Sequence, residues 1–338
     1  MKLLVLSLFV FFTVSVSAQF SLSGKLRTLH PLAIKVCDLA GNTIVECPIE
    51  SGKEFRTESV HIKNDLYLVY FGEYIEKIIL TDNPVEIKGF LDDQQPENSS
   101  IEFEGIDLHM KYLEISGLSW IDGKGSKRDV FQCYAEDDAI DPIVRATLVH
   151  EKRGFLGLDY ESYKRILDRI PKDKREAEVV KFLIREVADR KKYALGQEVY
   201  NFTFIDVNGK NVSLTDFRGK FVLLDFSASW CGGCRTEAKK LVSIYDELKG
   251  DDLVIITISL DNREKDWRRM VAEDKLPWIS LWNREGFTKG NKPNKVQSAY
   301  GFYQIPFIVL IDKNGKIIAR DLRGEKVKEA IEKARKMN

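Results

Sequence analysis

The stretch 223–241, LLDFSASWCGGCRTEAKKL, decides how this chain is read. It begins inside an almost wholly apolar run, FVLLDFS (221–227), as expected for a strand buried on both faces. It ends inside CRTEAKKLVSIYDELKG (234–250), where apolar residues recur every three or four positions and a glycine closes the pattern. A strand, a short loop and a helix therefore meet at Cys231. A thiolate there faces unpaired backbone N–H groups and the positive end of the helix dipole, and both lower its pKa. Cys234 follows three residues on, almost one helical turn, which brings two sulfurs within bonding reach. This spacing makes a reversible dithiol switch: one thiol attacks a partner's disulfide and the other resolves the mixed disulfide.

Other uses of two close cysteines fit less well. A structural zinc site needs two more ligands, and the chain has no second close cysteine pair. The four histidines, His30, His61, His109 and His150, lie far apart, so no metal is expected. Haem attachment needs histidine at 235, where Arg stands. Peroxide chemistry of the peroxiredoxin kind needs Pro and Thr or Ser upstream of its cysteine, and here Leu224 and Ala228 occupy those places.

The flanks of this stretch continue an alternating pattern over 193–338. NFTFIDV reads as a strand followed by an Asn208-Gly209 turn, LVIITISL as a second buried strand and REKDWRRMVAEDK as a helix. IPFIVLID and KIIAR form a hairpin about Asn314-Gly315, and EKVKEAIEKARKM closes the chain as a helix. The order predicts a mixed sheet with helices on its faces. Residues 20–105 differ: short runs such as KLRTL, AIKVCDL, TIVECPI, EFRTESV, DLYLVYF, KIILT and VEIKGF, separated by turn residues, predict a β-rich sandwich or small barrel. DDQQPENSS (92–100) reads as a polar loop. Residues 106–192 carry helical periodicity in YESYKRILDRI and EVVKFLIREVADRKKYAL, and are read as a helical connector that packs on one or both neighbours.

The first residues, MKLLVLSLFVFFTVSVSAQF, place a lysine, an apolar run and small residues at Val16-Ser17-Ala18. They read as a signal peptide (1–18) cleaved after Ala18, with an uncleaved membrane tether as the alternative. The expectation is an exported protein in a compartment where disulfides persist, such as a bacterial periplasm. The 338 residues carry a formal net charge of zero, which gives no electrostatic case for nucleic acid. Cys37, Cys47 and Cys133 complete the cysteines. The first two flank a hairpin and could pair only diagonally, so buried free thiols are expected.

DFSASWCGGCR resembles the DFWAxWCGPCK segment of thioredoxin, and residues 195–338 resemble the exported TlpA/ResA-like thiol–disulfide oxidoreductases. The resemblance implies an α/β thioredoxin-like fold at the C-terminus and an enzyme that needs no cofactor. It implies roles residue by residue: Cys231 the nucleophile, Cys234 the resolving thiol, and Asp225 a buried acid that takes the proton from Cys234. Pro306 matches the proline that follows a cis bond, turning the Ile305 backbone toward the dithiol for pairing with an extended substrate. Trp230 would shape the rim. Gly233 stands where the family usually has Pro, Phe307 where thioredoxin has Thr, and LVIITIS lacks the lysine that often partners the buried acid.

These readings converge on an oxidoreductase that reduces disulfides of exported protein partners and is recharged by an upstream donor at the membrane. The alternatives are an envelope-binding protein that docks a partner through its β-rich domain, with a secondary redox role, and a thiol peroxidase.

Overall fold

The computed structural model describes residues 19–118, 127–156, 158–289 and 293–337. The leader and the alternative tether expected over residues 1–18 lie outside them. Among the described residues no helix is long and apolar enough to cross a membrane. The chain divides into two compact units, Met1–Leu158 with Ser162–Val187, and Asp159–Glu161 with Ala188–Asn338.

The first unit is strand-rich. Strands β1 (Leu22–Thr28), β2 (Leu32–Cys37), β3 (Thr43–Ile49), β4 (Glu54–Arg56), β5 (Asp65–Phe71), β6 (Tyr74–Leu80), β7 (Val85–Leu91) and β8 (Ser100–Glu104) form two sheets, ordered β4-β1-β7-β8 and β3-β2-β5-β6. Leu22, Leu26, Ile87 and Leu91 of one sheet share a core with Ile34, Val36, Val69 and Phe71 of the other, which makes a sandwich. Strand alternation sends Leu66 and Ile79 to the opposite face of the second sheet. There they join the apolar faces of α1 (Asp107–Ser116), α2 (Lys127–Glu136), α3 (Pro142–Leu156), α4 (Tyr160–Asp168) and α5 (Glu178–Lys191). The helical segment thus shares a core with the sandwich and divides from the remainder near residue 187, five residues before the end expected for a connector. Strand β8 falls partly in the stretch read as a polar loop, because alternation in SIEFE is short and charged.

In the second unit, β9 (Thr203–Asp206), β10 (Asn211–Ser213), β11 (Phe221–Ser227), β12 (Leu253–Ser259), β13 (Ile279–Trp282), β14 (Phe307–Ile311) and β15 (Ile317–Arg320) form one sheet ordered β10-β9-β13-β12-β11-β14-β15. β11 pairs parallel with β12 and antiparallel with β14, so the sheet is mixed. Helices α6 (Gly232–Leu248), α7 (Glu264–Asp274), α8 (Lys295–Tyr300) and α9 (Glu325–Lys336) flank it. This is the thioredoxin-like fold that the sequence predicts. β13 and α8 are additions to the predicted order; four residues and six residues are too short to show a period.

Every residue of β11 is buried, and its two faces meet different cores. Val222, Leu224 and Phe226 face a core with Tyr300 and Phe302, while Phe221 and Leu223 face Leu241 and Leu248 of α6 and Ile331 of α9. By the same alternation Asp225 points to the α6 side. At the end of α8, Gly301 has φ 64° and lies against the Tyr193 ring; an added Cβ would come within 2.4 Å of the ring.

Candidate active site

The loop after β11 delivers Cys231 to the N-cap of α6, where its sulfur accepts the Cys234 N–H at 3.2 Å. The two sulfurs are bonded, with Cα atoms 5.2 Å apart. Cys231 is 8% exposed and Cys234 fully buried. Ala228, Cys231 and Cys234 form a small apolar cluster against which Ile305 packs. The Ile305–Pro306 bond is cis. A Cβ built on Gly233 would lie 3.7 Å from Pro306 Cδ, in ordinary contact. The residues singled out in the sequence, Cys231, Cys234, Ile305 and Pro306, therefore meet around one sulfur pair. Trp230 stands at its edge, 56% exposed, with its ring edge-on to Phe287 at 5.6 Å.

Asp225 is 2% exposed. Its Oδ2 accepts from Thr257 Oγ1 at 3.1 Å, and among the described residues its Oδ1 has no hydrogen-bond partner. Desolvation pushes its pKa up to about 7; the Thr257 bond and the Arg323 charge oppose the rise, and the negative charge of Glu237 adds to it. The lysine missing from β12 is thus answered by an arginine from the other end of the domain. Arg323 also donates through Nη2 to the Pro306 carbonyl.

Sequence reading missed several of these groups. Glu237 lies one turn beyond Cys234 on the same buried helix face and accepts the Gly324 N–H. Its signal was present: a carboxylate three residues after Cys234 on the stripe that continues to Leu241. Asp261, 1% exposed, accepts from Ser229 N at 3.0 Å, from Ser229 Oγ at 2.7 Å and from Ser259 Oγ at 2.8 Å. It thereby holds the loop that carries Cys231. Nothing local marks Asp261 or Arg323 as part of the site, because the contacts that bring them to it, Ser229 for Asp261 and Pro306 for Arg323, come from distant segments.

The remaining cysteines are unpaired: Cys37 is buried, Cys47 half-buried and Cys133 exposed. In the β2–β3 ladder Cys47 faces Ile34 and Cys37 faces Thr43, so the register keeps the first two apart. The expectation of buried free thiols holds for Cys37 alone; Cys133 projects outward from α2.

Residues 195–320 match the family model described as AhpC/TSA. The thiol-disulfide oxidoreductase ResA of Bacillus thuringiensis subsp. konkukian is 30% identical over 141 residues, covering 42% of this chain and 76% of that protein. Mouse nucleoredoxin is 29% identical over 120 residues, covering 35% of this chain and 26% of that protein. Among solved structures, the thioredoxin domain of a thiol-disulfide oxidoreductase from Bacteroides vulgatus is 36% identical, covering 41% of this chain and 96% of its own, with a TM-score of 0.38. A mixed sheet with a helix-capped cysteine pair defines this as an enzyme of the thioredoxin-like class, a thiol–disulfide oxidoreductase. The chain belongs to the TlpA/ResA-like family of these enzymes.

Proposed function

We propose that this chain reduces disulfides of exported proteins through Cys231 and Cys234. The observation that supports the reading best is the asymmetry of the pair: Cys231 caps α6 and keeps partial exposure, whereas Cys234 has none. The thiolate of Cys231 attacks one sulfur of the partner's disulfide; an S–S bond forms between them and the partner's other sulfur leaves as a thiolate. Asp225 takes the proton from Cys234, whose thiolate then attacks the Cys231 sulfur. The partner's second sulfur leaves and takes up a proton from solvent. The partner gains two electrons and this chain ends with the Cys231–Cys234 disulfide. A dithiol donor, expected at the membrane from the family resemblance, returns the pair to its reduced state.

Ile305 and Pro306 present backbone beside the sulfurs for an extended partner segment, and Trp230 offers an aromatic face at the rim. The charged and then apolar N-terminal stretch supports export to a periplasm. A peroxidase reading is disfavoured by Leu224 and Ala228, which stand where peroxide chemistry needs Pro and Thr or Ser.

The test is trapping in the full chain. Cys234→Ser should accumulate mixed disulfides on Cys231, visible on non-reducing gels and released by dithiothreitol, and Cys231→Ser should accumulate none. Adducts on Cys231→Ser but not on Cys234→Ser would reverse the assignment.

A further inference from the structure

The Asp225 carboxyl is held by a directional chain of hydrogen bonds that enters from Trp278. Trp278 Nε1 donates to Thr257 Oγ1 at 2.9 Å, and Thr257 Oγ1 donates to Asp225 Oδ2 at 3.1 Å. An indole N–H can only donate. The Thr257 oxygen must therefore accept from Trp278, and its single proton is directed to Asp225. One lone pair of Oδ2 is then committed as an acceptor, whereas the buried Oδ1 has no partner among the described residues and is the freer oxygen to take on a proton. All three residues sit on the α6 side of the sheet: Thr257 is the register partner of Asp225, and Trp278 packs on Tyr245 of α6 at 5.4 Å between ring centres. This is the side that Cys234 faces, since Cys234, Glu237 and Leu241 form the buried stripe of α6.

We propose that Trp278 and Thr257 are positioning residues for disulfide exchange, fixing the Asp225 carboxyl so that Oδ1 receives the proton leaving Cys234. The inference rests on the role proposed above for Asp225. The donor from Thr257 reaches the carboxylate in both protonation states but strengthens as charge develops on it. It thus holds the ionised, proton-accepting form available at lower pH than burial alone would allow. The other groups that act on Asp225 are Glu237 on α6, itself 3.5 Å from Lys240, and Arg323 ahead of α9; β14 presents only Ile308.

The test isolates the resolving step. Full-length reduced protein carrying Cys47→Ser and Cys133→Ser is mixed with 5,5′-dithiobis(2-nitrobenzoate). Capture at Cys231 releases one coloured thiolate and leaves the other half as a mixed disulfide, and release of the second coloured thiolate by Cys234 is timed from pH 5 to pH 9. The midpoint belongs to the coupled Cys234–Asp225 pair. Thr257→Val, nearly isosteric, should raise it by about one pH unit, since a hydrogen bond to the charged form is lost. Thr257→Ser should restore the wild-type profile. Trp278→Phe should move the midpoint the same way by less, because the hydroxyl survives but is no longer directed. A Thr257→Val midpoint equal to wild type, in a protein where Asp225→Asn alters the profile, would overturn this inference alone. An Asp225→Asn profile identical to wild type would overturn the Asp225 role and this inference with it.

Discussion

Arg323 donates a hydrogen bond to the carbonyl oxygen of Pro306, tying the segment before α9 to the loop that lies against the cysteines. A second bond from Nη1 to Leu322 O at 2.7 Å and an ion pair with Asp321 at 3.2 Å hold the guanidinium in place. Arg323→Met should therefore loosen the Ile305–Pro306 backbone and raise KM for a protein disulfide by roughly five- to tenfold, the effect of losing one charge-assisted bond. Arg323→Lys, which keeps the charge but not the fork, should recover part of this. Steady-state kinetics on a folded disulfide protein would check it; unchanged KM in Arg323→Met would show that the bond has no part in presenting the loop.

Asp225 makes stability depend on pH. Its folded pKa, about 7, lies above the ordinary 3.8, so the folded state binds the proton more tightly than the unfolded chain. That contribution is complete below about pH 4 and is lost as pH rises to about 7. By pH 8 the buried carboxylate costs the folded state about 4 kcal/mol relative to acid conditions. Asp225→Asn should be close to wild type in urea midpoint at pH 4.5 and distinctly more stable at pH 8, on the scale that burial of an uncharged amide permits. A constant difference across that range would contradict the burial argument.

Gly233 occupies the first turn of α6, where a backbone N–H needs no intrahelical partner. Its Cβ space is open to ordinary contact with Pro306, so no packing reason demands glycine. Gly233→Pro should raise the unfolding free energy by ~0.4–1 kcal/mol through a less flexible unfolded chain. Denaturant melts of the oxidised protein would measure it, and destabilisation would mean that the first turn cannot take the ring.

Residues 188–338 should fold alone and reduce insulin disulfides. A fragment beginning at 196 should be less stable by about 3 kcal/mol or more, because it lacks buried Tyr193. Arg320 donates to the Tyr193 carbonyl at 3.0 Å and stacks over its ring at 4.7 Å, so in the shorter fragment the half-buried guanidinium loses both contacts and keeps its bonds to the Tyr300 and Gly301 carbonyls. Equal melting temperatures for the two fragments would refute this.

What could be read from the sequence followed from local rules. FVLLDFS is buried on both faces and therefore almost wholly apolar, and the resemblance to a known family picks out Asp225 within it. Cys231 and Cys234 are neighbours in sequence as well as in space. The rest depends on contacts between distant segments: Thr257 with Asp225 across 32 positions, Gly324 with Glu237 across 87 and Arg323 with Pro306 across 17. No periodicity announces such pairs. Polar–apolar spacing alone marks the helical segment after residue 106, and it says that a face is buried but not against what. Leu66 and Ile79, on the outer face of a strand pair, supply that answer only once register is known.

The complete burial of Cys234 has a consequence for timing. On the proposed assignment its sulfur meets a single electrophile, the Cys231 sulfur joined to a captured partner. Release is then a first-order event inside one molecule, and thiols in the surroundings cannot hasten it by reaching Cys234. Outside thiols act only on the mixed disulfide itself. Wherever release by Cys234 outruns that attack the enzyme would carry its own clock, and a richer supply of reductant would shorten the wait between captures while leaving unchanged how long each partner is held.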